Sequence, residues 1–131
     1  MIRRLALAVV LVLALTVTPT VTASANTHSP STAELKAYAK EYVLMQVRIS
    51  IKSKEGPRQW KCFERVINYE SRWNPKAENG AHYGLGQLLG SKQRHNGKPY
   101  EQVRATWKYM VHRYGDRACG ALDHINWIGW Y

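Results

Sequence analysis

The sequence predicts a mainly α, small single domain, and three observations carry that reading. Three stretches place apolar residues at spacings of three and four, the period of a buried helical face. No stretch alternates apolar and polar residues convincingly enough for a half-buried strand. A chain of 131 residues holds one domain at most.

The first helix is announced by Ser31-Thr32-Ala33-Glu34, a capping box in which the Ser31 hydroxyl and the Glu34 carboxylate satisfy free backbone N–H groups. Leu35, Tyr38, Tyr42, Met45 and Ile49 then form one apolar stripe, and Gly56-Pro57 stops it. The second helix runs from about Arg58 to about Glu70, with Trp60, Phe63, Ile67 and Glu70 on one face. Asn74-Pro75 ends it, because a residue before proline is pushed out of the α region. Residues 76–99, rich in Gly, Asn, His and Lys, read as loops, with room for a short hairpin or a one-turn helix near 84–89. The third helix carries Val103, Trp107, Met110, Val111 and Tyr114; Pro99 suits its start and Gly115 a left-handed end. A short helical turn near 118–124 would return Cys119 toward the second helix, and the aromatic run Trp127 to Tyr131 should pack on the domain.

Composition narrows the compartment and the partners. Arg3 and Arg4, the uncharged run Leu5–Leu15 and the small residues Ala23-Ser24-Ala25 read as a secretory signal peptide over 1–25. The apolar run is too short for a spanning helix, which needs about 20 residues. An uncleaved anchor is the competing reading. Residues 26–33 read as a linker and 34–131 as the domain. Outside the cell, Cys62 and Cys119 have only each other to pair with, so a disulfide is expected over two free buried thiols. The 19 Lys and Arg against 9 Asp and Glu give a net charge of +10, which calls for an anionic partner. The basic residues are scattered through every segment, which argues against a dedicated nucleic-acid or membrane binder.

Glu70 is the residue that conflicts with its surroundings. A carboxylate on a core-facing position costs free energy unless it is paired or used. Desolvation by Tyr69, Trp73 and the face behind Ile67 would raise its pKa and keep it protonated near neutrality, as a general acid for glycosidic cleavage requires. The alternative is a structural ion pair with Arg65, Arg72 or Lys76. Most glycosidases use a second carboxylate, and Glu78 is the only one near Glu70 in sequence. His82, His95, His112 and His124 lack metal-ligand spacing, so no metal and no cofactor is expected.

Tyr69-Glu70-Ser71-Arg72-Trp73-Asn74-Pro75-Lys76-Ala77 resembles the E-S-x-x-N-P-x-A signature of the soluble-lytic-transglycosylase-like family. Gly80-Ala81 and Gly84-Leu85-Gly86-Gln87 resemble its G-A-x-G-L-x-Q run, and the stretch from Trp107 to Gly129-Trp130-Tyr131 is similar to secreted actinobacterial and phage members related to aggregation-promoting factors. The resemblance implies a lysozyme-like α fold with a glycan cleft. Glu70 would be the catalytic acid, Ser71 its neighbour in the site and Gln87 the cleft amide that holds a sugar. Tyr83 and His124 are further candidates for substrate contact. The implied reaction cuts the bond between N-acetylmuramic acid and N-acetylglucosamine, with one Glu acting as acid and then as base. The implied partners are peptidoglycan strands and anionic wall polymers, met by a secreted monomer with no nucleic acid and no stable membrane insertion after cleavage. Gly86 stands where the family usually has Met, the spacing between the two glycine runs is one residue longer, and Tyr109, Tyr114 or Tyr131 would have to serve for the family's N-Y-x-x-G tyrosine. Hydrolysis by an activated water, and a wall-binding protein without turnover, stay open beside this reading.

Overall fold

The first buried seam is cut by residues four apart. Leu35, Ala39, Val43 and Val47 are buried along α1 (Thr32–Ser50), and the small or branched side chains of Ala39, Val43 and Val47 let a neighbouring helix approach closely. Met45 and Ile49, expected on that stripe, are 49% and 75% exposed; the buried line follows the i+4 series from Leu35, and Tyr38 and Tyr42 flank it, half-buried. The computed structural model describes residues 28–50 and 53–131. The expected signal peptide and its boundary at Asn26 lie outside the described residues. The capping box forms as the sequence predicts: Ser31 Oγ meets Glu34 Oε2 at 2.7 Å, and the Ser31 amide donates to the same carboxylate at 2.8 Å.

A 3₁₀ turn (Ser53–Glu55) leads into α2 (Gly56–Ser71). Gly56-Pro57 therefore begins the second helix and does not merely stop the first. Proline suits this place because its missing N–H falls among the helix's unsatisfied donors. The helix ends at Ser71, one residue beyond the expected Glu70 and before Asn74-Pro75 is reached. Arg72 and Trp73 take left-handed backbone angles (φ 52° and 65°), which turn the chain back and send the Trp73 ring into the core. Such angles cost about 1–2 kcal/mol for a non-glycine residue, and burial of an indole offsets that cost.

The segment read as loops holds a small antiparallel sheet in the order β1 (Glu78–Asn79), β2 (His82–Tyr83), β3 (Leu88–Leu89). Glu78 faces Tyr83, Asn79 faces His82, and His82 in turn faces Leu89. Strands of two residues cannot show alternation, so the sheet is invisible to a periodicity argument. A five-residue α3 (Ser91–His95) follows, then α4 (Pro99–Arg113). Val103, Trp107 and Met110 are buried as predicted, whereas Val111 lies exposed. Gly115 does not take the left-handed angle; Tyr114 closes the helix in extended backbone and Arg117 carries the positive φ of 50°. The last helix, α5 (Arg117–Ile128), is three turns long where the sequence suggested one. Among the described residues the molecule is thus mainly helical, with one small three-stranded sheet.

The core runs between α1, α2, α4 and α5, around Phe63, Ile67, Trp107 and Met110. Cys62 on α2 and Cys119 on α5 form a disulfide. Beside it the buried Gln59 amide donates to the Asp116 carbonyl and carboxylate (3.2 and 3.0 Å), and its oxygen accepts from the Ala118 and Cys119 amides (3.1 and 3.4 Å). Arg58 adds a bidentate pair with Asp116 at 2.9 and 2.8 Å. Those contacts fix the start of α5 on α2, and so fix where the far end of α5 meets Glu70. Among the described residues no helix is long and apolar enough to cross a membrane.

Candidate active site

Glu70 stands on the last turn of α2, one turn beyond the buried Ile67, so its carboxyl leaves the core at the edge of a cleft. The cleft has a volume of about 690 Å³. It is lined by Tyr69 and Glu70 from the end of α2, by the 77–79 segment with His82 and Gln87, and by Gly129, Trp130 and Tyr131. Burial pushes the Glu70 carboxyl up to about 7. No hydrogen bond or ion pair to Glu70 forms among the described residues, and desolvation is the cause of the shift. The expected alternative, a structural pair with Arg65, Arg72 or Lys76, therefore does not form. A carboxyl with this pKa holds its proton over much of the neutral range and can give it up, which suits a general acid.

Gln87 lines the same cleft as Glu70, from a strained turn. Its φ is 47°, while Gly84 before it sits at 81°. The Gln87 side-chain amide donates to the Ala77 and Gly84 carbonyls at 3.0 and 2.9 Å. With both protons engaged, its oxygen is left as an acceptor at the cleft. Gly84 is required for space as well: a Cβ there would meet the Gln102 amide oxygen at 2.5 Å.

Gln102 is the residue that sequence reasoning missed. Buried on α4, it accepts from the Leu85 amide (3.0 Å) and donates to the Pro75 and His95 carbonyls (both 3.0 Å). One side chain thereby ties the α2 exit, the glycine turn and the end of α3 to one helix. Its only signal was a polar residue beside Val103 on the buried face of the third helix. Gln102→Ala is expected to destabilise the fold by about 2 kcal/mol, because the buried Leu85 amide loses its partner; urea unfolding measures it. An effect below a few tenths of a kcal/mol would deny the staple.

The other predicted site residues lie apart from the cleft. Ser71 is buried and donates back along its own helix to the Ile67 carbonyl at 3.2 Å. The Tyr83 ring is buried and its hydroxyl donates to Asn96 at 2.8 Å. His124 Nδ1 meets the Trp130 carbonyl at 2.6 Å, so it supports a cleft residue from behind. The aromatic run is divided: Trp127 is 88% exposed, while Trp130 and Tyr131 line the cleft. Burial, with Glu70, Tyr109 and Tyr114 nearby, pushes the Tyr131 hydroxyl well above the usual phenol range.

Glu78 also lines the cleft, with both carboxylate oxygens held by Lys92 Nζ at 2.7 and 3.0 Å. No group of three or more His, Cys, Asp or Glu side chains that could hold a metal ion occurs among the described residues. No family model, curated protein or solved structure matches this chain.

Proposed function

We propose that this chain is a secreted peptidoglycan-cleaving enzyme of lysozyme-like fold that acts as a lytic transglycosylase. The observation that carries the reading is one desolvated, unpaired carboxyl, Glu70, held near pKa 7 at the wall of an open cleft. The motif resemblance names the substrate class, and the disulfide suits an oxidising compartment. Glu70 gives its proton to the oxygen that joins C1 of N-acetylmuramic acid to the next sugar, and the C1–O bond breaks. The resulting carboxylate takes the proton of the muramic 6-hydroxyl as that oxygen bonds to C1, leaving a 1,6-anhydro end and a free hydroxyl on the departing sugar. Gln87 offers its carbonyl to an N-acetyl or hydroxyl donor, and Tyr69 and Trp130 give the sugars aromatic surfaces. Glu78 favours a second reading, hydrolysis, because it is a further carboxylate on the same cleft. Its engagement with Lys92 leaves it less free to act as base.

The test is digestion of purified wall with the secreted protein, followed by mass spectrometry of the fragments. Anhydro-muramic ends are the expected product. Reducing ends would replace transglycosylation by hydrolysis. Tight binding without any cleavage would leave a wall-binding protein.

A further inference from the structure

Residues 129–131 are anchored along their whole length. The Tyr69 hydroxyl donates to the Gly129 carbonyl at 2.8 Å, His124 holds the Trp130 carbonyl at 2.6 Å, and the Arg113 guanidinium lies 5.7 Å from the centre of the Trp130 ring. The last contact reaches the glycine turn: the Tyr131 hydroxyl donates to the carbonyl of Gly86. Its ring is set edge-on against Tyr109, with centroids 5.5 Å apart, so the hydroxyl is aimed by a packed ring.

Gly86 makes this joint possible. A Cβ at that position would stand 2.7 Å from the Tyr131 hydroxyl, and 2.3 Å from Thr106 Oγ1. Any side chain would force the hydroxyl away from the carbonyl. The peptide that receives this bond is the one that leads into Gln87. That residue has a positive φ, and its backbone amide bonds only within its own turn, to the Gly84 carbonyl at 3.2 Å. A turn in a sparsely populated conformation persists when its surroundings over-determine it. Gln102 supplies that support at Leu85 on the α4 side, and the Tyr131 hydroxyl supplies it at Gly86 on the α5 side.

We propose that Tyr131 is a positioning residue for Gln87: its hydroxyl, tethered to the Gly86 carbonyl, holds the 84–87 turn so that the Gln87 carbonyl oxygen presents to the glycan. The turn effect stands alone, and the glycan effect rests on the function proposed above. Tyr131→Phe keeps the ring and removes the tether. Hydrogen exchange of the Gln87 backbone and side-chain amides, followed by NMR, should quicken by about tenfold with circular dichroism unchanged. Binding of an N-acetylglucosamine tetrasaccharide, measured by calorimetry, should weaken by about 5- to 10-fold. Tyr131→Phe added to Gln87→Ala should cost nothing further, since both act on one contact. Gly86→Ala, which crowds the same hydroxyl from the other side, should reproduce the exchange pattern. Unchanged Gln87 exchange in Tyr131→Phe overturns the proposal, and so does full additivity with Gln87→Ala. Faster exchange with undiminished tetrasaccharide affinity overturns its link to recognition. Faster exchange in a protein whose parent binds no tetrasaccharide upholds the positioning of the turn and removes the glycan reading instead.

Discussion

Glu70→Gln is expected to lower the rate of wall clearance by about 100-fold or more, the scale of a lost general acid. Glutamine keeps the size and much of the hydrogen bonding of the acid but has no acidic proton to give to the leaving oxygen. The parent's activity should fall about tenfold per pH unit above the Glu70 pKa of about 7, because only the protonated carboxyl is competent. The same shift fixes the sign of the stability change. The folded-state pKa is raised, so the folded protein keeps a proton that the unfolded chain gives up near 4.5. Ionised Glu70 therefore opposes folding increasingly as pH rises from 4.5 through about 7, and the penalty is absent at lower pH. The cleft is open to solvent, which screens the penalty to about 1–2 kcal/mol, below the roughly 3.4 kcal/mol that a rise from 4.5 to about 7 would give at 1.36 kcal/mol per pH unit. Glu70→Gln should thus be more stable than the parent at pH 8 and equal to it at pH 4. Turbidity loss of purified wall gives the rate, and urea unfolding at the two pH values gives the stability. Clearance by Glu70→Gln at the parent's rate would remove Glu70 from catalysis.

Glu70 was legible because one residue broke a pattern. Trp60, Phe63 and Ile67 defined one apolar face, fully buried at Phe63 and Ile67 and partly so at Trp60, and a carboxylate one turn further on that face needed a reason. The capping box and the buried positions of α4 were legible for the same cause: their signals are local and repeat. What escaped was set by tertiary contact. Met45 and Ile49 are as hydrophobic as Val43 and Val47, and only packing against α2 and α4 selects the second pair. Two-residue strands have too few positions to alternate, so the sheet was legible only as room for a short hairpin near 84–89, which the pair of β2 and β3 supplies, and its first strand could not be read. Gly115 matched a helix-ending pattern, yet the left-handed angle falls at Arg117, where the Gln59 amide receives the new helix's first N–H groups. Gly86 departs from the motif that the chain resembles, and the departure acquires a cause only in three dimensions, where Thr106 and the Tyr131 hydroxyl crowd it.

Replacing both cysteines, Cys62→Ala with Cys119→Ala, is expected to cost about 4 kcal/mol of stability while sparing activity. The bond closes a loop across 57 positions. Removing that constraint frees the unfolded chain, and the loop-entropy relation gives about 4 kcal/mol for this length. The native state has less to lose locally. Gln59 still holds the Asp116 carbonyl and the Ala118 and Cys119 amides, and Arg58 still grips Asp116. These contacts keep the first turn of α5 on α2, so Trp130 and Tyr131 should still reach the cleft that Glu70 faces. Below the unfolding transition, wall clearance should therefore stay within about twofold of the parent, even though the urea midpoint falls steeply. Alanine avoids leaving a buried hydroxyl at position 119, which is almost fully buried. Intact mass with and without reductant, after thiol labelling, establishes beforehand that the parent carries the bond. A double variant within 1 kcal/mol of the parent would mean that the unfolded chain is already compact enough to hold the two helices near each other. A folded variant with no activity would mean instead that the bond itself, and not the Gln59 and Arg58 contacts, sets the position of α5 at the cleft.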